Sequence, residues 1–230
     1  KGGDSVRFIM DHEKLSFPES IRFLANKYKI QIEETENTAQ EIEQKQVTDS
    51  LYIVNDFARD YFCEVLFSRS EGRNIGLSYF KERGFRESTI KKFELGYSTE
   101  AKDEFTKLAI DKKFNLEHLR TVGLTSKSDL DFFRSRAIFT IHNVSGKVVA
   151  FAGRTLSTDK KQPKYINSPE SEIYNKRAVL YGLYFAKEFI RKEDECILVE
   201  GYTDVISLHQ GQIQNVVASS GTSLTKEQIR

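Results

Sequence analysis

Through residues 5–122, apolar positions recur mainly at intervals of three and four, the spacing of helices that bury one face. Residues 49–67 show it best. Leu51, Val54, Phe57, Ala58, Tyr61, Phe62, Val65 and Leu66 fall on one stripe. The same spacing predicts short helices over 5–10 and 18–28, with Ser16 and Pro18 near the start of the second. Further helices are expected over 76–83, closed by Gly84, over 88–93, closed near Gly96, and over 104–110 and 117–122. Residues 33–46 carry Glu, Gln, Asn and Thr with few apolar positions, and read as a linker or a solvated helix end.

The period then shortens. Residues 136–142 and 147–151 are β-rich runs around Asn143-Val-Ser-Gly146, a hairpin signal with Gly146 in the turn. A further strand is expected at 164–166 and a helix over 180–190. Residues 196–199 and 215–218 form short continuous apolar runs, as buried parallel strands do. A helix over 203–209, with Gly211 as its cap, lies between them, and Thr225 opens another with Gln228 as capping-box partner. Strand, helix, strand, helix implies a parallel α/β sheet behind a mixed helical and β region.

Composition adds a soluble, globular character: 39% of residues are hydrophobic and 30% charged. No apolar run approaches the roughly 18 residues that span a bilayer, and no signal-peptide pattern opens the chain. Cys63 and Cys196 sit on apolar stretches and are expected to be buried free thiols of a reducing cytosol. The net charge of +1 hides an asymmetry. Residues 1–133 carry a net −3, residues 134–192 a net +8, and residues 193–230 a net −4. A basic block before an acidic one suggests a polyanion cradle beside a cation site, although charge alone is equally consistent with a solvated face.

Glu200 is the most informative position. It follows an apolar strand and precedes Gly201, at the strand end where open α/β sheets collect reactive groups. Asp204 follows one helical turn later. Carboxylates there can hold Mg²⁺ or move a proton. On spacing alone, a surface glutamate is the better reading.

Cys-Ile-Leu-Val-Glu-Gly-Tyr-Thr-Asp-Val at 196–205 resembles the first motif of the Toprim domain, found in primases, topoisomerases and some nucleases. Residues 136–142, 146–154 and the Pro-Lys-Tyr-Ile-Asn-Ser-Pro-Glu run at 163–170 resemble the conserved block of bacterial DnaG-type primases. So do Leu180-Tyr-Gly-Leu183 and the Ala-Ser-Ser-Gly-Thr run at 218–222. The resemblance runs nearly end to end. It implies a tail at 1–32 following a zinc ribbon, a linker at 33–47, a core subdomain at 48–175 that guides single-stranded DNA, and the start of a Toprim subdomain at 176–230.

The resemblance also implies roles. Glu200 matches the catalytic metal-site glutamate, and Asp204 the acid behind it. Arg83, Arg134, Arg136, Arg154, Lys164, Tyr165, Asn167 and Lys176 match template- or nucleotide-facing positions. Cations that bind phosphates with little regard to base suit an enzyme that starts at many sites, and Tyr165 offers a stacking face. Read from the residues alone, Lys164 and Lys176 are also compatible with solvated charges, Tyr165 with strand packing and Arg154 with an ion pair.

The implied reaction is template-directed primer synthesis. A 3′ hydroxyl attacks the α-phosphate of a ribonucleoside triphosphate, pyrophosphate leaves, and Mg²⁺ or Mn²⁺ stabilises both oxygens. Further metal ligands are expected beyond residue 230, and Zn²⁺ only in a preceding ribbon. Lys1 in place of Met, and Arg230 within an apparent helix turn, suggest that both ends are cut. Expected partners are single-stranded DNA, ribonucleotides and, through a further domain, a replicative helicase, for a cytoplasmic monomer. The rivals are another Toprim enzyme, such as a topoisomerase or nuclease, and a non-catalytic module that only binds single-stranded DNA.

Overall fold

The computed structural model describes residues 4–13, 15–31, 39–157, 162–219 and 224–229. Two compact units divide the chain, Lys1–Gln46 and Val47–Arg230. The first holds α1 (Ser5–Glu13) and α2 (Phe17–Tyr28). Ser16 starts α2 because its N–H and hydroxyl both donate to the Glu19 carboxylate, at 2.8 and 2.7 Å. Pro18 lies in the first turn, where a missing N–H costs no helical bond.

A long helix, α3 (Ala39–Ser68), takes in much of the polar stretch that left linker and helix end open. Residues 39–50 hold no Gly or Pro, and their Glu, Gln and Lys side chains lose little freedom in a helix. From Leu51 onward the helix buries the face the spacing predicts: Leu51, Val54, Ala58, Phe62, Val65 and Leu66 are all at most 3% exposed.

The expected helix over 76–83 is instead two pieces. Gly72–Leu77 winds as a π-helix and runs into α4 (Ser78–Glu82). The wide turn is fixed by packing. A Cβ on Gly72 would lie 1.9 Å from the Val65 carbonyl oxygen, and one on Gly76 would lie 2.8 Å from the Tyr97 side chain. After α5 (Glu87–Lys92), Gly96 does not close the helix. It opens β1 (Gly96–Ser98), a strand the spacing missed, and its bare Cα lets β1 pass against Phe62 of α3. Then come α6 (Glu104–Asp111) and α7 (Leu116–Thr121). The buried Asp131 carboxylate accepts the Phe105 and Thr106 N–H groups at 3.0 and 2.8 Å, satisfying two orphan donors of α6.

Strands β2 (Arg136–His142), β3 (Val148–Thr155) and β4 (Tyr165–Asn167) join β1 in an antiparallel sheet of order β1-β2-β3-β4. The hairpin forms where expected. Asn143 Oδ1 accepts the Ser145 and Lys147 N–H groups, and Gly146 takes φ 92°. Every residue of β2 is buried. Phe62, Phe105, Phe133, Phe139 and Phe151 fill the core between the helices and this sheet.

The last part is α8 (Leu183–Glu193), β5 (Ile197–Val199), α9 (Tyr202–Gln210), β6 (Val216–Ala218) and α10 (Lys226–Ile229), with β5 and β6 parallel. Three expectations change here. Helix α8 starts at Leu183 rather than 180, because Tyr181 exchanges two backbone hydrogen bonds with Ala218 and Gly182 turns at φ 84°. Strand β5 is half-buried, with Leu198 45% exposed, because among the described residues it pairs only with β6 and forms an edge. Cys196 precedes that edge and is exposed, and Cys63 is partly buried; both are free. The capping box at Thr225 and Gln228 is present, with both reciprocal bonds at 3.2 Å. Among the described residues no helix is long and apolar enough to cross a membrane.

Candidate functional site

Strand β5 delivers Glu200 to its carboxyl end, where the side chain is exposed. Gly201 follows as the N-cap of α9. Its N–H donates to Asp204 Oδ2 at 3.1 Å, so Asp204 satisfies an orphan donor at the helix start and is held facing the Glu200 turn. A negative charge in the first turn also suits the helix dipole. Among the described residues no hydrogen bond holds the Glu200 side chain in this way.

Tyr202 fastens this turn to the antiparallel sheet. It is 5% exposed, its ring stacks on Phe139 of β2 at 5.3 Å and 23°, and it meets Tyr181 edge-on at 4.8 Å. Its hydroxyl donates to Asn167 Oδ1 of β4 at 2.8 Å. Asn167 therefore locks the carboxylate turn to the strand that carries Tyr165.

From Tyr165 an alternation of rings and guanidinium groups runs away from Tyr202. The ring of Tyr165 lies 5.9 Å from that of Tyr202. Arg154, its direct cross-strand partner on β3, has its guanidinium carbon 5.8 Å from the Tyr165 ring and 5.0 Å from the Tyr79 ring. Arg83 sits over Tyr79 at 5.1 Å, one helical turn along from it. Burial pushes the Tyr79 hydroxyl up from its ordinary pKa, with Arg154 and Arg83 acting against that shift.

Carboxylate contacts divide the arginines into two groups. Arg59, Arg69, Arg120 and Arg191 each contact at least one carboxylate. Among the described residues Arg83, Arg134 and Arg154 contact none. Cations mounted on aromatic faces without counter-ions are available to an external anion.

Arg134 and Arg136 lie elsewhere, around a pocket of about 460 Å³ with Lys102, Ser157 and Gln162. Arg134 is exposed, but Arg136 is not free to meet a template. It is 5% exposed, and its Nη1 donates to the carbonyls of Gly153 and Pro163, both at 3.1 Å. Burial lowers its pKa from the ordinary value. The carbonyls it holds precede Arg154 and Lys164, so Arg136 braces the β3–β4 connection behind two candidate residues. Lys164 is exposed, while Lys176 is half-buried, with its carbonyl accepting the Gln228 amide at 3.3 Å. No contact among the described residues joins Lys176 to the ladder. Of the Ala-Ser-Ser-Gly-Thr run at 218–222, the residues beyond Ser219 lie outside the described residues. Tyr79 was not singled out from the sequence; its spacing of four from Arg83 was the available signal.

The donor set does not by itself complete a metal centre. Among the described residues no three His, Cys, Asp or Glu side chains cluster closely enough to hold an ion. Glu200 offers a carboxylate that has no partner among the described residues, and Asp204 is partly spent on Gly201.

Known proteins bear on this arrangement. Residues 61–187 match the family model of the DNA primase catalytic core, N-terminal domain, and residues 194–230 match that of the Toprim domain. The DNA primase of Halalkalibacterium halodurans is 38% identical over 100% of this chain and 38% of its own length. The RNA polymerase domain of Mycobacterium tuberculosis primase DnaG, solved with a double-stranded DNA oligomer bearing a 6-nucleotide overhang, is 32% identical. It superposes with a TM-score of 0.74 over 79% of this chain and 57% of that one. A DnaG primase catalytic domain bound to single-stranded DNA gives a TM-score of 0.71 at 32% identity, over 80% of this chain and 60% of that one. The chain thus spans about two-fifths of the length of the curated relatives it matches.

Proposed function

The chain belongs to the DNA primase catalytic-core family, and on that premise we propose that it forms the template- and nucleotide-facing part of a polymerase that makes RNA primers on single-stranded DNA. The observation that carries this reading is the link between an exposed carboxylate turn and a ladder of unpaired arginines, made by Tyr202 and Asn167.

The residues divide the work by chemistry. Arg83, Arg154 and Lys164 take phosphate oxygens through charge-assisted hydrogen bonds that carry no base information. Tyr165 offers a ring on which a base can stack, a contact worth about 1–3 kcal/mol. Arg134 and Lys102 extend the positive surface along the template path, and Lys176 adds charge near the nucleotide. Arg136 acts from behind, by fixing the carbonyls before Arg154 and Lys164. In the reaction a primer 3′ oxygen bonds to the α-phosphorus of a ribonucleoside triphosphate, and the bond to the leaving pyrophosphate breaks.

Toprim-type primases use divalent metal, and we take the ion to be Mg²⁺ or Mn²⁺. Glu200 would contribute one carboxylate to its site, which the described residues do not complete. A replicative helicase as partner, a cytoplasmic location and a zinc ribbon in a longer polypeptide follow from the same family reading.

The test is ribonucleotide incorporation on single-stranded DNA by a full-length protein carrying this sequence. Glu200→Gln should abolish primer synthesis while leaving the fold intact, since the side chain is exposed. Normal primer yield from that variant would sink the assignment. A second reading is favoured by the incomplete donor set: by itself this chain binds single-stranded DNA without catalysis. It predicts salt-sensitive binding weakened by Lys164→Ala, with no incorporation.

A further inference from the structure

Tyr79 lies between the two unpaired arginines but has no assigned role. Its ring has Arg83 at 5.1 Å and Arg154 at 5.0 Å, and those guanidinium groups come from different parts of the fold, one from the end of α4 and one from β3. Two like charges brought this close repel each other, and among the described residues neither contacts a carboxylate. The electron-rich face of a ring is the compensating group available to both.

The ring is itself held from behind. The π-turn before α4 sets where Tyr79 points, and that turn is keyed into Val65 and Tyr97 through the bare Cα atoms of Gly72 and Gly76. Tyr97 also donates its hydroxyl to Glu71 at 3.0 Å, just ahead of the turn. A π-turn aimed this way often marks a functional position. The Tyr79 hydroxyl is buried and makes no well-formed hydrogen bond among the described residues, although Arg83 lies close enough to act on it. A poorly paired buried hydroxyl contributes little, so the ring is the stronger candidate for what this position uses, and Tyr79→Phe separates the two.

We infer that Tyr79 is a positioning residue whose ring spaces Arg83 and Arg154 into a two-pronged clamp for phosphate oxygens. The clamp deepens the polymerase reading, from which it borrows only the class of ligand. Two sources share the chemistry, the triphosphate tail of a ribonucleotide and the backbone of the DNA template. The connection from Arg154 through Tyr165 to the Glu200 turn favours the triphosphate.

The experiment is calorimetric titration of the 230-residue chain with inorganic tripolyphosphate and, in a separate arm, with a short oligothymidylate. Thermal melts of each variant run alongside. Tyr79→Leu should weaken tripolyphosphate binding roughly tenfold, as expected for losing two partly exposed cation–π contacts. Tyr79→Phe should restore the affinity to within about twofold and melt no lower than the parent. Loss in the tripolyphosphate arm assigns the clamp to the nucleotide, and loss confined to the oligothymidylate arm assigns it to the template. The inference is overturned if the parent chain binds neither probe, if Leu binds as tightly as the parent, or if Phe weakens binding as much as Leu. Primer synthesis does not enter this measurement. A chain that binds through Tyr79 but whose full-length parent makes no primers would defeat the polymerase reading and leave the clamp standing.

Discussion

Tyr202→Phe removes a hydrogen bond that ties the carboxylate turn to β4. The substitution removes the hydroxyl that donates to Asn167 Oδ1 at 2.8 Å and keeps the ring on Phe139 and against Tyr181. A neutral, partly buried bond contributes about 1 kcal/mol net, so the folding equilibrium should fall roughly fivefold. Tyr202→Ala also removes the stacked ring and should cost about 3–5 kcal/mol, which separates bond from packing. Urea unfolding measures both, provided the slope with denaturant is unchanged. A double-mutant cycle with Asn167→Ala should return a coupling of about 1 kcal/mol. Because Tyr202 lies two residues beyond Glu200, primer synthesis by the full-length Phe variant should fall by more than its small loss of folded protein. A coupling below about 0.3 kcal/mol would refute the link, since distant independent sites differ by that much.

Two further outcomes follow from buried groups. His209 is 3% exposed among Phe93, Phe185 and Phe189, its Nε2 has no partner among the described residues, and burial pushes its pKa down to about 4, with Lys92 adding to the shift. The unfolded chain protonates near the ordinary 6.5 and the folded one does not, so stability is full above that value and falls by about 3 kcal/mol as pH drops toward 4. Urea titrations across that window should show a shallower decline for His209→Phe; parallel curves would contradict the assignment. Gly72→Ala drives a methyl into the Val65 carbonyl and should cost about 3 kcal/mol or more, while Gly84→Ala meets open space and pays only for its φ of 78°, about 1 kcal/mol. Equal melting losses in the two variants would show that the π-turn is not packed as described.

Local regularities were legible in the residues. The α3 stripe, the Asn143–Gly146 hairpin and the strand–helix–strand run into Glu200 all depend on spacing within one element, and each lies within a few residues of its expected place. What escaped depends on distant neighbours. The π-turn forms because Gly72 and Gly76 meet Val65 and Tyr97, which no local window reveals. Strand β1 is three residues long and defined by its pairing with β2. Among the site residues, Arg154 and Tyr165 were named but not their pairing, which needs the β3–β4 register. The resemblance sets Arg136 among the template- or nucleotide-facing cations; only the tertiary fold encloses it and hands it two backbone carbonyls.

The path of the nucleic acid is the claim on which the rest depends. Single-stranded DNA carrying 5-iododeoxyuridine, irradiated with the chain and mapped by mass spectrometry, reports which aromatic rings a base touches. The account predicts adducts on Tyr165, suppressed by added salt and by Arg154→Ala. Adducts confined to the rings beneath α6 and α7, such as Phe114, with Tyr165 unmodified, would place the DNA on the wrong face and contradict it.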